Sequence, residues 1–125
     1  LEQFLQLFHS FFNETLKHKD DLTLLLLIDT HTQDSPTTQK QSDKIALCTD
    51  ALNTRTEQLL FDALKNGELK EEIDITRSLN FIHTITLSAL QHIGLLSAKE
   101  FKKQKQELQI HVDEIIAMFR AYLTA

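Results

Sequence analysis

The residues best suited to metal chemistry are histidines and glutamates in the second half of the chain. His111 with Glu107 and Glu114 is the nearest approach to a ligand cluster. A helical di-iron site needs Glu-x-x-His motifs on two helices together with further glutamates, and no Glu-x-x-His motif occurs here. His83 and His92 are nine residues apart, so they do not share a helix face as an i, i+4 metal-binding pair does. The sequence therefore predicts no metal and no other cofactor.

Catalysis and direct nucleic-acid binding are also poorly supported. Serines and threonines fall at helix ends or in helix interiors, without a glycine-flanked nucleophile elbow or a phosphate-cradling loop. A local basic cluster contains Lys99, Lys102, Lys103 and Lys105, with Phe101 as its aromatic residue. Because the formal net charge of the whole chain is −5, a solvated helix face explains this cluster better than a phosphate-binding surface. We expect neither an enzyme nor a chain that grips DNA by itself.

The composition indicates a single all-α domain. The chain has 125 residues, which is long enough to bury a core, but it has only two glycines and one proline. A β-rich fold of this length would need many tight turns, and those turns need Gly, Pro and Asn-Gly pairs. Long helices with few connections are the better interpretation.

The cellular setting follows from Cys48 and from the most apolar run of the chain. A single cysteine allows no intramolecular disulfide and fits a reducing compartment. The run Leu22–Asp29 is far shorter than the roughly 20 apolar residues of a membrane span. No signal peptide is visible. We expect a cytoplasmic protein without a membrane partner.

Periodicity and capping residues predict five helices. Gly67, in a left-handed conformation, and Gly94 are predicted to end the third and fourth helices. Asp74 is predicted to cap the fourth helix, and Ser97-Ala-Lys-Glu100 forms a capping box before the fifth. The predicted helices run approximately over Leu1–His18, from after Asp21 to His31, Pro36–Asn66, Ile75–Ile93 and Ala98–Leu123.

The fourth and fifth helices each carry a second apolar face. The first stripe of the fourth helix contains Ile75, Leu79, Ile82, Thr86, Leu90 and Ile93, and the second contains Phe81, Ile85, Ser88, Ala89 and His92. The fifth helix has a coiled-coil-like seam of Leu108, Val112, Ile115, Phe119 and Tyr122, and a strip of Ile110, Ala117 and Ala121 on its opposite side. A helix that is apolar on two faces must be covered on both. Two copies could pair these helices into a four-helix bundle; alternatively, both faces belong to the core of one chain.

The amino-terminal helix begins without a cap. The stretch LEQFLQLFHSFF is amphipathic from Leu1 onward, and no polar lead-in precedes it. We therefore expect further residues upstream, so that the chain is a piece of a longer protein.

The order of these features resembles a known family. A long helix, then LKNGELKEEID, a fourth helix ending in LQHIGLL and a last helix after SAKE resemble the C-terminal domain of the TetR-like (tetracycline-repressor) family of bacterial transcription regulators. The resemblance covers about Leu47–Leu123 well and the preceding part loosely. It implies that residues 1–125 are a five-helix effector-binding and dimerisation domain, whose last two helices form a dimeric four-helix bundle.

The resemblance also implies partners and a mechanism. The partners would be a second copy of the chain, an unknown small-molecule effector, and operator DNA reached only through a helix-turn-helix domain that this sequence lacks. In such a dimer the recognition helices must sit about 34 Å apart to enter successive major grooves. An effector among the first four helices would change that spacing. The alternative is a helical dimerisation or scaffold module without a small-molecule ligand.

The resemblance directs attention to two sets of residues. Arg55 would select an anionic ligand if it points inward, or it forms a surface ion pair with Glu57. The phenylalanines of the first helix either line the effector pocket or fill the core. The predicted ligand-binding residues are Phe8, Phe11, Phe12, Leu25, Ile28, Cys48, Leu52, Arg55 and Thr56. The predicted dimer-interface residues are Phe81, Ile85, Ser88, Ala89, His92, Leu108, Ile110, Ile115, Ala117, Phe119, Ala121 and Tyr122.

Overall fold

The computed structural model describes residues 1–21 and 36–124, with the backbone alone for 36–50. The described residues form four long helices and no strand, which confirms the all-α prediction. The helices are α1 (Glu2–Lys17), α2 (Pro36–Lys65), α3 (Ile75–Leu95) and α4 (Ala98–Leu123). They correspond to the first, third, fourth and fifth predicted helices. The second predicted helix lies almost entirely outside the described residues.

The connection between α2 and α3 begins at a glycine C-cap, as predicted. Gly67 has a φ of 72°, the left-handed conformation that glycine adopts without strain. Its N–H donates to the carbonyl of Leu64 over 3.1 Å, and the N–H of Glu68 donates to that of Ala63 over 3.0 Å. These two bonds form a Schellman motif, which satisfies carbonyls that the end of a helix leaves unpaired. The chain thereby leaves the axis of α2 and returns toward α3.

Side-chain caps begin α3 and α4. The carboxylate of Asp74 accepts a hydrogen bond from the backbone N–H of Arg77 at 3.1 Å, and the hydroxyl of Ser97 accepts one from Glu100 at 3.1 Å. Both caps were predicted from the sequence. The carboxylate of Glu100 accepts from the side chain of Gln104.

The prediction that Gly94 ends the helix before α4 is wrong. Helix α3 continues through Gly94 to Leu95, and among the described residues Gly67 is the one with a positive φ. The chain instead leaves the helix at Leu96, which has extended backbone angles and leads directly into the Ser97 cap of α4. Gly94 is buried. The capping requirement of the next helix, rather than a left-handed glycine, sets this boundary.

Helix α1 packs against the other three helices and supplies much of the core. Phe4, Phe8 and Phe12 are at most 3% exposed, which places one whole face of α1 in the interior. The ring of Phe8 meets that of Phe119 edge-on, with centroids 5.9 Å apart. A second part of the core contains Phe12 and Leu16 of α1, Ile93 of α3, and Leu108 and Val112 of α4.

Polar contacts along the surface fix the position of α1 on α4. Glu2 and Arg120 form a two-pronged ion pair, in which Nη2 lies 3.0 Å from Oε2. Two to three turns further, His9 Nε2 lies 3.0 Å from Asp113 Oδ1, and Gln109 donates to Asn13 Oδ1 over 3.1 Å. Because these contacts are exposed, we attribute to them the register of the two helices rather than much stability.

Within the described ranges, no helix has both the length and the hydropathy that crossing a bilayer requires.

Candidate functional site

An apolar cavity of about 290 Å³ lies between α1, α2 and α3. Side chains from all three helices form its wall, so its shape depends on how these helices pack. Phe8 and Thr86 are buried, whereas Phe11 and Leu87 are 38% and 53% exposed and therefore lie toward its mouth. The lining residues are Leu7, Phe8, Phe11, Leu52, Asn53, His83, Thr86, Leu87 and Leu90.

Three polar residues, Asn53, His83 and Thr86, are among the described residues that line this cavity. The hydroxyl of Thr86 donates to the carbonyl of Ile82 over 2.8 Å, so its hydrogen is already used within α3. The Nε2 atom of His83 is buried and has no hydrogen-bond partner among the residues that the structure describes. Its ring lies beside that of Phe8, with centroids 6.1 Å apart. Burial lowers the pKa of His83, which favours the neutral imidazole.

The cavity brings together three of the nine residues predicted to bind a ligand: Phe8, Phe11 and Leu52. Leu25, Ile28 and the side chain of Cys48 lie outside the described part of the chain. The remaining three are Phe12, Arg55 and Thr56.

These three residues have other environments. Phe12 is fully buried and packs with the second part of the core, on the other side of α3. Thr56 is also buried, and its hydroxyl donates to the carbonyl of Asn53. Arg55 is exposed and lines a separate pocket with Gln6 and Ser10 rather than the apolar cavity, which agrees with the alternative that places it on the surface.

The predicted effector site lies among the first four helices, which include α3, but no residue of α3 is among the predicted ligand contacts. Thr86 and Leu90 lie in the first apolar stripe of this helix, and both line the cavity. His83 lies outside both stripes and enters the sequence argument only as a possible metal ligand. The spacing of His83, Leu87 and Leu90, at i, i+4 and i+7, is a helical stripe that could have placed them on one side of the helix.

A second apolar feature, which we call the outer face, spans the opposite side of α3 and the adjoining side of α4. Phe81, Met118 and Ile110 are 39%, 41% and 51% exposed. The rings of Phe81 and Tyr122 stack across the two helices with centroids 4.8 Å apart. The outer face comprises Phe81, Ile85, Ser88, Ala89 and His92 of α3, with Ile110, His111, Glu114, Ile115, Ala117, Met118, Ala121 and Tyr122 of α4.

A groove of about 480 Å³ runs along the outer face between α3 and α4. His92 of α3 and His111 and Glu114 of α4 lie among its lining residues, together with the apolar Ala89 and Met118. The groove therefore has apolar walls with a few polar groups between them.

Two residues predicted for the dimer interface are buried within the single chain, although Leu108 also lines the groove. Leu108 and Phe119 are 4% and 0% exposed, because the coiled-coil-like seam of α4 packs onto α1 of the same chain. Ile115 and Tyr122 are half-buried at the edge of that seam. Ile110, Ala117 and Ala121 are exposed, as are Phe81, Ser88 and His92, while Ile85 and Ala89 are half-buried.

The cluster around His111 does not form a metal site in the described ranges. His111 and Glu114 both line the groove, but residues 1–21 and 51–124 contain no group of three or more His, Cys, Asp or Glu side chains placed to hold an ion. His111 and Glu114 lie on the outer face, where both line the groove.

Comparison with family models, with curated proteins and with solved structures finds no match to this chain. The TetR-like resemblance thus remains a prediction from the order and spacing of the capping motifs. The cavity and the outer face are observations independent of that resemblance. They provide the physical basis for a functional proposal.

Proposed function

We propose that this chain is the effector-sensing and dimerisation domain of a bacterial TetR-like transcription regulator. One observation carries the proposal: α3 has the apolar cavity on one side and the outer face on the other. At about 100° per residue, His83, Leu87 and Leu90 project roughly opposite to Phe81, Ser88 and His92. A single helix thus separates a space for a small molecule from a surface suited to a partner.

The outer face supports the dimerisation half of the proposal. Phe81 of α3 and Ile110 and Met118 of α4 are large exposed apolar residues on two adjacent helices, and such residues commonly mark an interaction surface where they form a patch. A second copy related by a two-fold axis would present the same residues, so α3 and α4 of each copy could form a four-helix bundle. Ser88, Ala117 and Ala121 are exposed and small, which would permit close approach of the helices.

The cavity supports the sensing half. Its volume lies near the lower end of the range typical of small-molecule sites, and its wall is mostly apolar with a few polar groups. A ligand there would contact α1, α2 and α3 together, and any shift of α3 would reach the outer face directly. In this proposal the shift changes the spacing of DNA-binding domains joined to each copy. Coupling of about 1–3 kcal/mol between ligand and DNA would be typical.

Native mass spectrometry of the purified chain tests both halves of the proposal. We expect an assembly of twice 14.4 kDa that retains or acquires one small molecule per copy from a library of apolar compounds. A single 14.4 kDa species that takes up no compound would overturn the proposal. A dimer that takes up no compound would instead favour the scaffold module without a small-molecule ligand.

A further inference from the structure

The cavity between α1, α2 and α3 has no ionised side chain among its described lining residues. The lining contains no Asp, Glu, Lys or Arg, and Arg55 of α2 lines a separate pocket. Burial lowers the pKa of His83, so its imidazole is uncharged at about pH 7. A charged ligand would lose its hydration in this cavity without gaining an opposite charge. The cavity therefore favours an uncharged ligand.

The polar groups of the lining provide few hydrogen bonds to a ligand. The hydroxyl of Thr86 already donates its hydrogen to the carbonyl of Ile82 within α3. The Nε2 atom of His83 is buried, so a molecule in the cavity cannot reach it. Asn53 is exposed to solvent. A polar group carried deep into the cavity would therefore find few partners to replace its hydrogen bonds with water.

Apolar side chains from all three helices form most of the wall. They include Leu7 and Phe8 of α1, Leu52 of α2, and Leu87 and Leu90 of α3. A ligand that covers apolar surface gains about 25 cal/mol for each Å² removed from water, and this gain needs contact area rather than a particular bond. Apolar contact is thus the main source of affinity that the cavity offers.

The volume of the cavity limits the size of the ligand. An apolar cavity of about 150 Å³ accommodates one benzene ring. The volume of about 290 Å³ therefore leaves room for about two fused rings.

We infer that the cavity binds an uncharged, hydrocarbon-like compound of about two fused rings, held by apolar contact rather than by an ion pair or a hydrogen bond. This inference rests on the proposed function, since it names the chemical class of the effector. Phe11 and Leu87 lie toward the mouth, so a polar substituent would be accommodated at that end, where it keeps its contact with water.

Three probes of similar shape test the inference by isothermal titration of the 125-residue chain. 2-Methylnaphthalene is uncharged and apolar, 2-naphthoate carries a negative charge, and (2-naphthylmethyl)ammonium carries a positive charge. We expect 2-methylnaphthalene to bind at least about tenfold more tightly than either charged probe, because only the charged probes lose strong hydration on entering the cavity.

A matched pair of variants on α3 places the bound probe. Leu87→Trp adds bulk at the mouth of the cavity, where the side chain is 53% exposed and folding should tolerate the change. Leu95→Trp makes the same substitution at a side chain that is 76% exposed and is not among the lining residues. Leu87→Trp should weaken 2-methylnaphthalene at least about tenfold, because the larger side chain competes for the same space. Leu95→Trp should leave its affinity unchanged, and equal affinities in the two variants would overturn the inference.

Other results separate the inference from the proposed function. If a charged probe binds as tightly as 2-methylnaphthalene, the inference is overturned while a ligand site remains. The same conclusion follows if native mass spectrometry shows uptake of another compound but 2-methylnaphthalene does not bind. Binding of no probe, together with no uptake in mass spectrometry, would overturn the inference and also count against effector binding.

Discussion

His83 is the residue at which the cavity departs most clearly from an ordinary core. A neighbouring position on α3, Ile82, is fully buried among apolar side chains. His83 instead presents a buried nitrogen without a partner beside the ring of Phe8. If the residue only filled space, an apolar side chain would serve better, because removing an unsatisfied polar group is neutral or stabilising.

The burial of His83 predicts how the stability of the chain depends on pH. Burial lowers the pKa of His83 in the folded chain, whereas the unfolded chain titrates near about 6.5. As the pH falls through that value, the unfolded state binds the proton first, so the free energy of unfolding decreases. In His83→Leu this contribution is absent.

Thermal unfolding from about pH 7.5 to about pH 5.5 measures this effect. The melting temperature should fall less in His83→Leu than in the unmodified chain. His18→Leu serves as the matched control for removing an exposed imidazole. An equal decrease in melting temperature in His83→Leu and in the unmodified chain would contradict the conclusion that burial lowers the pKa of His83.

Among the helices, the boundaries that depend on local capping residues were predicted well. Asp74, Ser97 and Gly67 act through hydrogen bonds or backbone angles within a few residues, so the sequence alone contains the information. The prediction for Gly94 failed because a glycine near a helix end need not adopt a positive φ. The end of α3 is set by where α4 begins.

The faces of the helices were harder to predict because they depend on packing between distant residues. The periodicity correctly predicts that the seam of α4 is apolar. It does not show what covers Leu108 and Phe119, which pack in core clusters with residues of α1. Local periodicity could have revealed the helical stripe that His83 shares with Leu87 and Leu90, but whether its Nε2 atom has a hydrogen-bond partner leaves no trace in that periodicity. Three of the predicted ligand residues nevertheless line the cavity.

Gly67 gives the sharpest test of the connection between α2 and α3. Gly67→Ala should lower the free energy of unfolding by about 1 kcal/mol, because a Cβ atom is strained in the left-handed region. Apart from its chain neighbours, no atom of the described residues lies within 4 Å of the added Cβ, so backbone strain is the cause we expect. The matched control is the preceding residue: Asn66→Ala, at an ordinary φ, should change stability much less. Urea denaturation measures both, and equal losses would contradict the backbone argument.

Two adjacent residues of α4 lie in different environments: Phe119 belongs to the core and Met118 to the outer face. Phe119→Ala removes a fully buried ring and should cost about 3–5 kcal/mol in urea denaturation at fixed protein concentration. Met118→Ala, at a side chain that is 41% exposed, should cost far less. The reverse order would show that Phe119 does not belong to the core of one chain.

In the whole molecule, α3 connects a cavity with an exposed apolar surface. The core of the single chain already buries the inner stripes of α3 and α4. The most exposed residues of the outer face, Phe81, Ile110 and Met118, contribute little to that core, and the proposal assigns them to contacts with a second copy. Two copies that shield each other's outer face would remove Phe81, Ile110 and Met118 from water.

Sedimentation equilibrium at micromolar concentration directly measures whether two copies of the chain pair through the outer face. The unmodified chain should have a mass of twice 14.4 kDa. Met118→Glu would place a charge in the shielded surface and should raise the dissociation constant at least about thirtyfold, or roughly 2 kcal/mol. Phe61→Glu, at an exposed phenylalanine of α2 outside the outer face, should leave the mass unchanged. An unmodified chain of 14.4 kDa, or Met118→Glu that pairs as tightly as the unmodified chain, would contradict the account.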